Sequence, residues 1–207
     1  METSQTVLGG LPYDLISVSY FRLVGYLLLL LLGDCAGGIP ASRLILKPQA
    51  FLLIRAGWKR WFRLTLRRCF CAVFTACMLL LAVGLFSTPE WKTLFSWLLF
   101  TLHMEMIAAV QVLLIALFEN ATAAILPVVL MQIVTLFLSK WASGAWALLL
   151  PGNWCALART AEFEAPDNYG RLHGGFPLWA AIALNAAVLL AICLFGWRLV
   201  RRKCMKQ

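Results

Sequence analysis

Charge is what this sequence has least of: 13% of its 207 residues are Asp, Glu, Lys or Arg, and only nine of these are acidic. A soluble domain carries charge on roughly a quarter of its residues, so a water-facing globule is excluded. Also missing are a CxxC pair, HExxH, GxSxG and the phosphate-binding loop GxxxxGK[ST]. Without that loop the chain is not expected to hydrolyse ATP itself, and no cofactor or metal ion is expected to be bound. The seven cysteines (Cys35, Cys69, Cys71, Cys77, Cys155, Cys193, Cys204) mostly sit in apolar runs or beside basic ones. They read as small apolar residues, not as disulfides or metal ligands. The opening METSQTVLGG lacks a positively charged n-region and a small-residue cleavage site, so the first apolar segment is expected to stay in the mature chain.

What is present is apolar: 62% of the residues, with nine Trp. The runs predict an all-α integral membrane protein with about five transmembrane helices, plus a short re-entrant or external helical segment before the last span. The expected spans are 15–33, 69–86, 91–118, 121–138 and 178–197, in one transmembrane domain covering residues 1–207. In the first, Arg22 is expected to snorkel to the nearer surface and Asp34 to mark the opposite end. Residues 37–54, with Arg43, Lys47 and two prolines, read as too interrupted to cross a bilayer. Trp91 and Trp97 are expected to form an aromatic belt. A tight turn is expected at Glu119 and Asn120, and Pro127 reads as a tolerated kink. Residues 141–150 are too few to cross a hydrocarbon core roughly 30 Å thick at about 1.5 Å per residue.

The net charge of +9 is concentrated, with eight of eighteen basic residues between Arg43 and Arg68 and five between Arg198 and Lys206. Both clusters follow the positive-inside rule, so nucleic acid is not expected as a partner. Span parity then places the N-terminus outside and the C-terminus in the cytoplasm. The stretch 53–68, LIRAGWKRWFRLTLRR, sets Arg55, Lys59, Arg60, Arg63, Arg67 and Arg68 beside Trp58, Trp61 and Phe62. It predicts a helix lying on the inner membrane surface. Two readings stand open, a lipid anchor and a docking surface for a soluble partner.

Polar residues within the spans are candidates for function. Glu105, Thr101 and Gln111 are candidates for a substrate path. Glu105 also reads as a structural or subunit contact, or as a proton-coupling group. His103 points about 200° away from Glu105 on a straight helix, which argues against a metal-ligand pair. In the external segment 139–177, Asn153, Arg159, Glu162, Glu164, Asp167 and His173 have no diagnostic spacing, and a solvated loop is the better reading. Asn120-Ala121-Thr122 fits a glycosylation pattern by chance.

IRAGWKRWF entering a span, the paired spans meeting at Glu119-Asn120, and LLPGNWCALART after a short apolar external segment together resemble the membrane subunit of an ABC-2 type exporter. The resemblance is particularly to the small permeases of bacteriocin and lantibiotic export or immunity. It implies a multi-pass permease in the cell membrane that moves an amphipathic peptide or lipid-like substrate. Its implied partners are a separate ABC ATPase subunit that binds the ATP, a second permease copy or paralogue, and membrane lipids. It also implies an ATPase-coupling region at 43–68, carried by Arg55, Trp58, Lys59, Arg60, Trp61 and Arg63. The external helical pair would include Pro151, Gly152, Asn153, Trp154 and Arg159. The family has six spans with its N-terminus inside, so its first span is expected to be missing from this chain. A membrane enzyme acting at the outer surface and a non-transporting immunity or structural protein are the rival functions.

Overall fold

The computed structural model describes residues 10–11, 20–46, 57–87, 91–138, 141–142, 144–164 and 174–204. Five α-helices carry the architecture: α1 Tyr20–Leu46, α2 Trp58–Ser87, α3 Trp91–Phe118, α4 Ala121–Leu138 and α5 Leu178–Cys204. All five are long and apolar enough to cross a membrane, and the chain is a multi-pass, all-α membrane protein. Among the described residues the only β pairing is an isolated bridge between Thr160 and Phe176. Two thirds of the α3 span (67%) is buried, against a third or less of each other span. α3 is therefore the central helix, with the others around it.

The close approach of α1 to α3 comes from Gly33, Gly37 and Ala41, one turn apart on a single face and all buried. A Cβ on Gly37 would stand 2.7 Å from the Ala108 Cβ, and one on Gly33 would collide with the Met104 sulfur. Lipid is as apolar as leucine, so packing contacts rather than water expulsion hold such helices together, and small residues permit the contact. This overturns the reading of an interrupted connector over residues 37–46; the rest of that stretch, 47–54, lies outside the described residues. α1 continues through Gly37 and Pro40 to Leu46, because a buried transmembrane helix absorbs a proline that would break an isolated one. Its spanning segment is Tyr20–Ile45, shifted toward Arg43 from the expected 15–33.

α2 brings a second correction. Trp58 to Arg68 is the first part of one continuous helix with the span that follows, not a separate helix lying on the surface. Trp61, Phe62 and Leu66 are buried with Ala41, Val112, Ile115, Ile192 and Val200, and a Cβ on Gly196 of α5 would lie 2.7 Å from the Phe62 ring. Trp97 departs from the expected belt as well: it is buried and its Nε1 donates to the Cys77 carbonyl at 2.7 Å. Trp91 is exposed.

The α3–α4 turn is as tight as the sequence suggests. Glu119 takes a positive φ of 55°, and Asn120 caps α4 by accepting the Ala123 N–H at 3.1 Å, a standard use of Asn at a helix start. Lys203 closes this end of the bundle, pairing with Glu119 at 3.0 Å and donating to the Leu117 carbonyl. The opposite end is covered by three short 3-10 helices, Gly144–Leu149, Pro151–Asn153 and Leu157–Arg159. These form the short helical segment expected before the last span.

Candidate functional site, a buried polar network under a cap

Asp34, the expected end marker of the first span, lies inside α1 and is buried. Its Oδ1 accepts Nε2 hydrogens from Gln111 of α3 and Gln132 of α4, each at 3.0 Å, and Gln132 Nε2 also lies 3.0 Å from Oδ2. The Gln132 Oε1 faces His103 Nε2 at 3.4 Å. On the far side of the ring, His103 Nδ1 sits 2.9 Å from Asn185 Oδ1 of α5. Asn185 Nδ2 is already donated to the carbonyls of Trp154, at 3.2 Å, and Ala181, at 3.0 Å. His103 Nδ1 must therefore carry the hydrogen. One polar chain thus runs through α1, α4, α3 and α5.

The electrostatics follow from the hydrogen-bond inventory. A carboxylate alone in a bundle interior is expensive, and Asp34 has amide donors but no cationic contact among the described residues. The amide donors at its two oxygens offset part of the cost of burying the group, and the Gln132 amide links it to the His103 ring.

Above this network lies the cap. Arg159 is fully buried, with Nε donating to the Leu11 carbonyl at 2.8 Å and Nη1 to Leu136 O at 3.3 Å and to Asn153 Oδ1. Asn153 Nδ2 holds the Ala147 carbonyl at 3.0 Å. Gly152 N donates to Thr135 Oγ1 at 2.8 Å, and any Cβ there would strike the Gln132 carbonyl oxygen. Cys155 Sγ lies 3.0 Å from the Tyr26 hydroxyl. Burial pushes the Cys155 thiol up to about 11, leaving it protonated and unreactive near neutral pH. The solvated-loop reading of this stretch is therefore wrong from Gly152 to Thr160, apart from the half-buried Trp154. Glu162 is exposed and Glu164 half-buried, and they accept the N–H groups of Leu178 and Gly175 respectively.

The sequence candidates separate into four groups. Gln111 joins the Asp34 centre. Thr101 and Glu105 instead share a face toward Cys77, with Glu105 half-buried and also close to Cys193, and His103 points elsewhere, as helix geometry requires. Pro151, Gly152, Asn153, Trp154 and Arg159 all belong to the cap. Trp58, Lys59, Arg60, Trp61 and Arg63 stand at the start of α2, with Lys59 Nζ 5.8 Å from the Trp197 ring centre. Arg55, Asp167 and His173 lie outside the described residues. Asp34, Gln132, Asn185, Tyr26 and Cys155 were not anticipated, although Gln132 and Asn185 stand out as lone amides in apolar runs.

No protein family, curated protein or solved structure matches this chain. The functional reading rests on the geometry.

Proposed function

We propose that this chain is the membrane-spanning permease subunit of an ATP-driven exporter of the ABC-2 type, working with a separate ATPase and a second permease copy or paralogue. Its cargo in this reading is an amphipathic peptide or lipid-like molecule, either exported or cleared from the membrane. The basic end of the bundle faces the cytoplasm of a cell membrane, and the cap and N-terminus face outward, as the charge rule favours. ATP is bound by the partner, and the chain carries no catalysis of its own.

The observation that carries the proposal is the division of α2 at its basic end. Trp61 and Phe62 are buried in the bundle, while Lys59, Arg60, Arg63 and Arg67 are exposed. A lipid anchor would turn its aromatic rings into the bilayer. Here the rings grip α1, α3 and α5, so a force on the cationic face is delivered to three other helices. An acidic surface on a soluble partner is the complementary dock, and such charges govern encounter more than fold. The outer-surface enzyme reading is less well supported, because Asn153, Arg159, Glu162 and Glu164 are engaged in holding the cap.

Reversing Lys59, Arg60 and Arg63 together to Glu is the test. ATPase activity recovered with the tagged chain is expected to fall by about tenfold or more, in line with the loss of several interface charges. Membrane insertion, judged by protease protection of the cap, is expected to be unchanged. Full ATPase recovery with the triple variant would reduce this face to a lipid anchor.

A further inference from the structure

Beside the proposed dock, between α2 and α5, runs an open trough of about 340 Å³. Arg63 and Arg67 stand at its basic end, one helical turn apart. Phe70 and Cys71 of α2 form one wall below them, and Cys193 and Leu194 of α5 the other. Both guanidinium groups are exposed, and neither has a polar partner among the described residues. Arg60, Arg198, Arg201 and Arg202 are exposed at the same end of these two helices.

We infer that this trough seats one anionic phospholipid, its phosphate held by Arg63 and Arg67 and an acyl chain lying against Phe70, Cys71, Cys193 and Leu194. Two features select this occupant. The walls belong to two spanning helices, so the apolar part of the trough opens where the surroundings are lipid. The mouth offers two forked donors spaced one turn apart, and a guanidinium binds a phosphate oxygen pair in bidentate fashion. A zwitterionic headgroup would bring its own cation into an already basic surface. Clusters of basic residues next to a span attract anionic lipid at a membrane surface. This site adds a wall for the acyl chain and a fixed place for the headgroup. Arg63 and Arg67 also belong to the cationic face proposed as the dock, but lipid retention is read without an ATPase and stands whether or not one docks there.

The experiment is native mass spectrometry of the full chain released from bilayers of equal phosphatidylglycerol and phosphatidylcholine. Parent protein is expected to retain one phosphatidylglycerol in preference to phosphatidylcholine. Arg63→Gln with Arg67→Gln is expected to lower that occupancy about tenfold, given the loss of two surface cations. Replacing both arginines by Lys keeps the charge but loses the paired donors, so occupancy is expected to fall between parent and the Gln pair, which separates lost charge from lost fold. Cys193→Trp fills the trough without touching charge and is expected to displace the lipid. Arg201→Gln with Arg202→Gln removes equal charge outside the trough and should leave occupancy within about twofold, since these residues touch only the diffuse field. Equal retention of the two lipids, equal loss in the tail variant, or full retention in Cys193→Trp would each overturn the site.

Discussion

Replacing Arg159 by Met is expected to release the cap from the helix bundle. The side chain is fully buried and donates to Leu11 O, Leu136 O and Asn153 Oδ1, so Met removes the donor from all three. Each buried acceptor that loses its donor costs about 1–3 kcal/mol, together comparable to a large part of a domain's stability. Arg159→Lys keeps the charge but cannot span three acceptors with one ammonium group, and an intermediate loss is expected. Unfolding in detergent, with limited proteolysis between Leu149 and Leu178, provides the measurement. Met at this position with parental stability and an intact cap would show that Arg159 is not the pin.

The second large effect is expected at Asp34. Asp34→Leu strips the acceptor from Gln111 Nε2 and Gln132 Nε2, and each orphaned donor costs about 1–3 kcal/mol. Asp34→Asn retains an acceptor oxygen and the shape, so assembly should survive. The effects of Asp34→Asn and His103→Gln on stability are expected to be non-additive, because both alter one network joined through Gln132. Simple additivity of the two, with Asp34→Leu as stable as the parent, would show that the polar chain is incidental.

The apolar runs and basic clusters made much of the architecture legible. Helix number, the tight Glu119-Asn120 turn and the short helical segment before α5 follow from run length, charge and turn chemistry, which are local properties. The candidate site was less so. Glu105 stands out in the sequence because it is acidic and central in a run, yet it is half-buried on a side face. Asp34 does not stand out, because Gly33, Gly37, Gly38 and Pro40 look like a helix breaker one residue at a time. In three dimensions those glycines are the contact surface against α3, and the helix continues because its neighbours support it. Gly33, Gly37 and Ala41 at four-residue spacing were the available signal. Arg159 was read as solvent-exposed because a lone Arg near Glu and Asp in a loop usually is. Only tertiary structure brings the carbonyls of Leu11 and Leu136 to it, from 148 and 23 residues away in sequence.

The coupling reading of α2 is tested most directly by what accompanies the chain out of its own membrane. The full chain, tagged at its C-terminus and solubilised gently from native membranes, should carry an ATP-binding subunit in near-stoichiometric amount. That subunit should be lost when Lys59, Arg60 and Arg63 are reversed, while the permease itself is recovered in equal yield. Recovery of the chain with no nucleotide-binding protein, or of the same ATPase with parent and reversed variant alike, would contradict the account.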